Sequence, residues 1–392
     1  MRLLLAIETL KIGGAENFVR NLAAGLSVKN KVYLLITSCN YGDKKFEIPG
    51  VRIFHPFRSS LFGERYSSVL QKFQFVIQLV QFRIIVFVYR IELIHSHLYY
   101  TDFKIFKFLG RKKLPWVIGM HGCYEYYLGL NMHENESDQI NTYHFSRIVQ
   151  ILGRADFVAL ASVKNQRVFG KVKNIPMNAV YNSGLRQGEV YERLSLFQNR
   201  NKIRFCMVSR GIESKGWEIG IQAFIDYINR SPNVIADLFL IYSVSEYMSH
   251  LEDKYSSYHN IHFLGPKYNI VSEMTKMDVL IFPSYFPSES QPYTIIEALA
   301  AQLPVIASSI GEIPRMLNCE GNASGFCVDL GTDGKPRVSE FLRFMIELTR
   351  NDALYSSMVL ACKTNFAPFS MARCVNSYEQ LYTKLISEIN SD

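Results

Sequence analysis

Thirteen short runs of aliphatic and β-branched residues, each followed by a longer amphipathic stretch, constrain this chain more than any other feature. In the first half they are Arg2–Ile7, Lys31–Thr37, Val51–His55, Leu93–His97, Trp116–His121, Phe157–Ala161 and Ala179–Tyr181. In the second they are Ile203–Val208, Leu238–Tyr242, His262–Leu264, Val279–Pro283, Val305–Ser308 and Gly325–Val328. Near-continuous apolar runs spaced by helix-length segments read as βαβ units, whose parallel strands are covered on both faces. Two such series predict an α/β chain of two Rossmann-like, doubly wound domains. A length of 392 residues allows a full core in each. The first domain is expected over 1–190 and the second over 201–364, parted by the polar stretch Ser183–Lys202 with its turn signal Asn182-Ser183-Gly184. Within 365–392 a helix over Ser370–Ile389, opened by an N-cap serine, is expected to pack back on the first domain.

Charge is concentrated rather than spread. The formal excess is +8, and Val51 to Lys113 holds 11 Lys and Arg against 3 Asp and Glu, with 14 Phe and Tyr among its 63 residues. Cations interleaved with rings suit an anionic membrane surface, where charge draws headgroups and rings wedge at the acyl boundary. A solvated basic face over core aromatics is the plainer alternative. No helix-turn-helix, zinc-finger or RNP pattern accompanies the charge, so no nucleic-acid partner is expected. The seven cysteines are odd in number and lack metal-ligand spacing, which predicts a reduced, cytoplasmic chain with no metal site. The opening MRLLLAIETLKIGGAE reads as a buried strand entering a glycine loop, not a cleavable leader. No apolar run reaches the roughly 18 residues of a membrane span.

Chemistry-bearing residues gather just beyond four of the expected strands. Gly13-Gly14-Ala15-Glu16 leads into a helix expected near Glu16, where backbone N–H groups can approach an anion. A ligand-free tight turn explains these glycines equally, and the GxGxxG dinucleotide fingerprint is not completed. VSRGIESKGW places Arg210 and Lys215 after the next strand series begins; a planar fork and a compact point charge together suit a diphosphate. A surface salt bridge with Glu213 is the alternative. The run Glu289-Ser-Gln-Pro-Tyr-Thr-Ile-Ile-Glu297 sets two carboxylates about a helix expected to begin near Gln291, with Pro292 in its first turn and Glu297 two turns in. Two solvated glutamates would fit that run as well. His121-Gly122 ends a strand, at the sheet edge where such folds bind ligands. His95 and His97 form an HxH without a third ligand at metal spacing, so they read as structural. The aromatic cluster Cys123–Tyr127 is an acceptor-side loop or core.

DVLIFPSYFPSESQPYTIIEALAAQLPVIASSIGEIP resembles the donor-site signature of the retaining glycosyltransferases of family 4 (group 1), which have the GT-B fold. VSRGIESKGW is similar to that family's phosphate-binding loop, and Gly13-Gly14, His121-Gly122, Ala155–Ser162 and YNSG follow in the family's order. The resemblance implies two domains facing across a cleft and a nucleotide-diphosphate sugar as donor. It implies donor binding by Gly13, Gly14, Arg210, Lys215, Gln291, Pro292, Tyr293, Thr294 and Glu297, and catalysis by Glu289, His121, Arg210 and Lys215. Glu297 would accept from the ribose hydroxyls; Glu289 would sit near the sugar's reacting carbon, where a carboxylate favours an oxocarbenium; His121 would touch the sugar. No DxD, HExxH or P-loop occurs, so the leaving diphosphate is expected to meet fixed cations and N–H dipoles, with no metal and no cofactor. The acceptor implied is a glycan or lipid-linked molecule, in bacterial surface polysaccharide synthesis such as lipopolysaccharide or capsule, at the cytosolic face of the inner membrane.

Ser290, Pro292, Gln302, Glu312 and Arg315 depart from the family's glycines, small residues and glutamate, which limits how closely a sugar can approach that backbone. A GT-B-type sugar-nucleotide epimerase and an inactive nucleotide-sugar-binding scaffold are the alternatives. An acceptor requirement separates transfer from epimerisation, and turnover separates both from a scaffold.

Overall fold

The aliphatic runs become strands almost end to end. The computed structural model describes residues 1–10, 13–38, 47–56, 68–110, 114–122, 142–163, 165, 177–180, 185, 202–319 and 321–391. They form two units, one of Met1–Arg186 with Met371–Asp392 and one of Gln187–Ser370. The stretch Ser183–Lys202, except for Leu185 and Lys202, lies outside the described residues, as do Cys123–Tyr127 and YNSG.

In the first unit β1 (Arg2–Ile7), β2 (Lys31–Ile36), β3 (Val51–Phe54), β4 (Leu93–His97), β5 (Trp116–Met120), β6 (Phe157–Leu160) and β7 (Met177–Val180) form one sheet. Their order is β3-β2-β1-β4-β5-β6-β7, and every pairing is parallel. Every residue of β4, β5 and β6 is buried, as strands covered on both faces require. Helix α1 (Gly14–Leu26) turns Phe18, Val19 and Leu22 inward. It meets the C-terminal helix Met371–Ser391 so closely that a Cβ at Gly25 would stand 2.5 Å from Val375 Cγ2. Helix α2 (Ser68–Val88) lays Phe82, Ile85 and Val86 into the same core.

In the second unit β8 (Lys202–Ser209), β9 (Ile235–Tyr242), β10 (Ile261–Gly265), β11 (Val279–Phe282) and β12 (Val305–Ser308) join β15 (Gly325–Val328). Their order is β10-β9-β8-β11-β12-β15, again with every pairing parallel. A two-residue hairpin of β13 (Asn318–Cys319) and β14 (Asn322–Ala323) precedes the last strand. Its own core is built on Phe205, Trp217, Phe224, Leu240, Ile281, Phe341 and Met345.

Both sheets reverse direction of winding once, between β1 and β4 in the first and between β8 and β11 in the second. At such a reversal two neighbouring strands send their loops to opposite sides, which opens a crevice at their carboxyl ends. No helix among the described residues is long and apolar enough to cross a membrane.

Candidate functional site

The β8–β11 reversal gathers Arg210, Lys215 and Glu289. The chain leaves β8 at Ser209 and makes a short 3₁₀ turn, Glu213–Lys215, before the helix Trp217–Arg230. Gly216 carries it through φ +73, and a Cβ there would overlap the Pro283 carbonyl, so only glycine lets the two loops touch. Tyr285 N–H donates to the Ser214 carbonyl (2.9 Å), and buried Trp217 donates from Nε1 to the Arg210 carbonyl (3.0 Å). The loop is thereby fixed from both ends before any side chain reaches a ligand.

Lys215 is 6% exposed, and its Nζ lies 2.5 Å from Glu289 Oε2. Ser284 Oγ donates to the same oxygen at 2.8 Å. Burial pushes the Lys215 ammonium below its ordinary value; Glu289 pulls it back up and Arg210 adds to the lowering. An ammonium has three donors, and Glu289 takes one. The Arg210 guanidinium is exposed and makes no ion pair among the described residues. Its Cζ stands 5.1 Å, and Lys215 Nζ 4.5 Å, from the centroid of the Phe286 ring. One aromatic ring thus seats both cations. The surface pairing of either with Glu213 does not form: Glu213 lies 3.7 Å from Lys335 and accepts from Tyr285 Oη at 3.2 Å.

Beyond Glu289 the sequence expectation needs correcting. The helix runs Tyr293–Ala300, so Pro292 is its N-cap with extended ψ of 125°, not a first-turn residue, and Gln291 precedes it. Glu297 is therefore the fifth helical residue, little more than one turn in. Gln291, Pro292 and Tyr293 are buried, Thr294 and Glu297 partly so. Burial alone pushes the Glu297 carboxyl up to about 8, so it is largely protonated at neutral pH. The helix ends in a Schellman motif, with Gln302 at φ +54 and Leu303 N–H returning to the Ala298 carbonyl.

Of the departures from the expected pattern, Glu312 is the one held against this loop. Gly311 at φ +56 would bring a Cβ to 2.6 Å from the Glu289 carbonyl, and Glu312 N–H donates to the Ser290 carbonyl at 2.9 Å. Buried Glu312 pairs with Arg315 at 2.9 Å. Phe286, Ser284, Gly216 and Gly311 went unremarked in the sequence; the first two follow directly on β11, which is the signal that could have marked them.

The first unit places its candidates separately. Gly13 is the N-cap of α1 with φ −174, an extended conformation open to any residue. Gly14 is the first helical residue, two before Glu16. A Cβ on Gly13 would overlap the Glu16 carboxylate, an acid of this chain already at the helix start. His121 follows β5, and its Nε2 lies 2.9 Å from Nδ1 of His97. His95 Nδ1 lies 2.6 Å from Tyr382 Oη on the C-terminal helix. Burial lowers all three rings, His121 to about 4. Among the described residues no group of His, Cys, Asp or Glu is arranged to hold a metal ion.

Residues 202–346 match the family model of glycosyl transferases group 1, and residues 12–177 that of glycosyltransferase family 4. No curated protein matches. Among solved structures, a sucrose-phosphate synthase from Thermosynechococcus elongatus superposes with a TM-score of 0.77 at 17% identity, over 99% of this chain and 100% of its own. HepE of Anabaena, in complex with UDP and glucose, follows at 0.73 and 16%, over 98% and 100%. WaaG, a glycosyltransferase involved in lipopolysaccharide biosynthesis, gives 0.67 and 12%, over 97% and 99%. At such identities the likeness is one of fold, the GT-B fold.

Proposed function

The chain belongs to the family 4 (group 1) glycosyltransferases, and we propose that it moves a hexose-like sugar from a nucleotide-diphosphate donor to a glycan or lipid-linked acceptor with retention of configuration. The observation that carries this reading is the convergence of Arg210 and Lys215 on the Phe286 ring at the β8–β11 reversal. Two cations against the single carboxylate of Glu289 leave a local positive excess where the leaving diphosphate gathers charge. Among the described residues neither Arg210 nor the two remaining donors of Lys215 is spent on a hydrogen bond or ion pair, so both can turn to phosphate oxygens.

In this reading the bond from the anomeric carbon to the diphosphate oxygen breaks. The acceptor oxygen bonds to that carbon on the same face, and its proton passes to the departing phosphate. Glu289, held by Lys215 and Ser284, is a fixed negative charge beside the oxocarbenium-like carbon. Glu297 meets the ribose hydroxyls, and His121 the sugar. Charge neutralisation rests on the cations and backbone dipoles, without a metal. Gln291, Pro292, Tyr293 and Thr294 line the donor side through the tight start of their helix. The role extended to Gly13 and Gly14 is weaker, because Glu16 occupies that helix start.

An anionic membrane surface is proposed as the place of work, in surface polysaccharide assembly on the cytosolic side. Helix α2 supports it. The helix contains no acid, and Phe73, Val76, Val80, Ile84 and Phe87 are all exposed. At about 100° per residue these five fall within an arc of about 80°, with exposed Lys72 and Arg83 along one edge. An apolar stripe edged with cations matches an interfacial helix at an anionic bilayer. Arg111, Lys112 and Lys113 lie outside the described residues.

The test of the central reading is transfer from a panel of UDP-, GDP- and ADP-sugars to glycan and lipid-linked acceptors, with the product anomer read by NMR. Lys215→Ala and Glu289→Gln are expected to lower kcat at least a hundredfold, the scale of losing one fixed charge in a dry site. Unchanged turnover in both overturns the proposal. Sugar interconversion without acceptor would mark an epimerase instead, and tight binding without turnover a scaffold.

A further inference from the structure

We propose that His97 is a positioning residue: its ring fixes His121 as the Nδ1–H tautomer, with the proton on the nitrogen turned away from His97. His95 and His97 sit two apart on β4, so both rings rise from the same face of the sheet. Opposite His97 in register is Gly119 of β5, and a Cβ there would overlap His97 Nδ1 and stand 3.0 Å from His95 Nε2. Glycine therefore makes room for the two rings, whose centroids are 4.0 Å apart. Phe18 from α1 and Tyr378 and Tyr382 from the C-terminal helix close over them.

Among the described residues the His95 and His97 rings each have a hydrogen-bond partner on one nitrogen only. His97 Nδ1 faces His121 Nε2 at 2.9 Å, and His95 Nδ1 faces Tyr382 Oη at 2.6 Å. The Nε2 atoms of both have no hydrogen-bond partner among the described residues. A buried N–H without an acceptor costs more than a bare ring lone pair, because orphaned donors are the rarest unpaired groups in folded proteins. The protons of His95 and His97 therefore belong on Nδ1, where partners stand. His97 Nδ1–H then donates to His121 Nε2, which must be unprotonated to accept, and the single proton of neutral His121 goes to Nδ1. The ring stays neutral near pH 7, since burial lowers all three histidines and they repel one another's charge. Asn165 Nδ2 donates to the Gly122 carbonyl at 2.7 Å, holding the backbone just beyond.

The consequence for transfer rests on the reading of His121 as a sugar contact: a neutral ring with a preset Nδ1–H can donate to a sugar oxygen and does not act as a general acid near pH 7. The tautomer itself does not rest on that reading. Long-range proton–nitrogen NMR on the full chain labelled with nitrogen-15 histidine is expected to show both His97 and His121 protonated at Nδ1. His121 protonated at Nε2 overturns the proposal. His97→Phe is expected to release His121 into the other tautomer and to lower kcat about five- to ten-fold, one hydrogen bond's worth, with donor KM little changed. His97→Asn, whose amide N–H stands where Nδ1–H stood, is expected to restore the tautomer and most of the loss. A packing role alone would lower the melting temperature in both variants without moving the tautomer. If His97→Phe fails to fold, the wild-type spectrum and His97→Asn still decide. If no donor supports transfer, the glycosyltransfer reading fails while the spectrum judges the tautomer independently.

Discussion

At Glu297 the quantity that matters is a proton. Its carboxyl is pushed up to about 8 by burial, so in the free protein it is mostly neutral at pH 7. Accepting two ribose hydroxyls favours the carboxylate, so donor binding in the proposed site must expel that proton. Affinity is then expected to rise about tenfold per pH unit between pH 6 and 8 and to level off above. Calorimetry with an intact nucleotide sugar, whose diphosphate does not titrate in this range, should show one proton released on binding at pH 6.5. Glu297→Gln is expected to weaken binding and abolish the slope; a slope that survives the substitution assigns it elsewhere. The sequence exposes Glu297 through its spacing from Glu289, but not its protonation, because burial depends on neighbours far along the chain. Lys215 makes the same point. Locally Glu213 is its obvious partner, yet the bond forms to Glu289, 74 residues away, because Gly216 and Pro283 bring the loops together.

Strands were legible because a parallel strand buried on both faces is an uninterrupted apolar run, and the thirteen runs fall on the thirteen strands of the two sheets. The β13–β14 hairpin was not, since two-residue strands carry no periodicity. The Tyr293–Ala300 helix begins later than read because Pro292 takes the extended N-cap conformation, which its fixed φ permits as readily as the first turn. Helix α2 shows what a helix apolar nearly all round leaves open: one face enters the core and the opposite face must meet something other than water. For the proposed bilayer contact, Phe87→Asp and Ile84→Asp are each expected to cut sedimentation with anionic vesicles roughly tenfold or more, by the value of one large apolar side chain leaving the interface. Lys72→Glu and Arg83→Glu should cost roughly fivefold each and only at low salt. All four residues are exposed, so melting temperatures should hold. Binding unaffected by any of them removes α2 from the contact, and a change in oligomeric state instead assigns the face to a second copy of the chain.

Each unit has its own sheet and its own core, and between pH 4.5 and 8 Glu297 of the second responds to pH with a sign opposite to that of the histidines of the first. In the first unit His55, His95, His97 and His121 are all lowered, chiefly by burial, and the groups facing the last three include one another, Phe18, Tyr378 and Tyr382. A folded value below the unfolded 6.5 means the unfolded chain binds more protons, so the first unit is stabilised above about 6.5 and loses that stability as pH falls toward 4. Glu297 runs the other way: raised from 4.5 to about 8, it favours the folded second unit at low pH and withdraws that support as pH rises toward 8. Between pH 5 and 6.5 the two slopes oppose, by about 1–2 kcal/mol for His121 and for Glu297 as upper bounds, since both keep some exposure. Amide hydrogen exchange, corrected for its intrinsic pH dependence, should therefore show β4 and β5 gaining protection over that range while β8 and β11 lose it. His121→Gln should reduce the first slope and Glu297→Gln the second, each leaving the other unit alone. Equal slopes in both units would mean that they open only together, and the opposing contributions would then cancel in a single global transition.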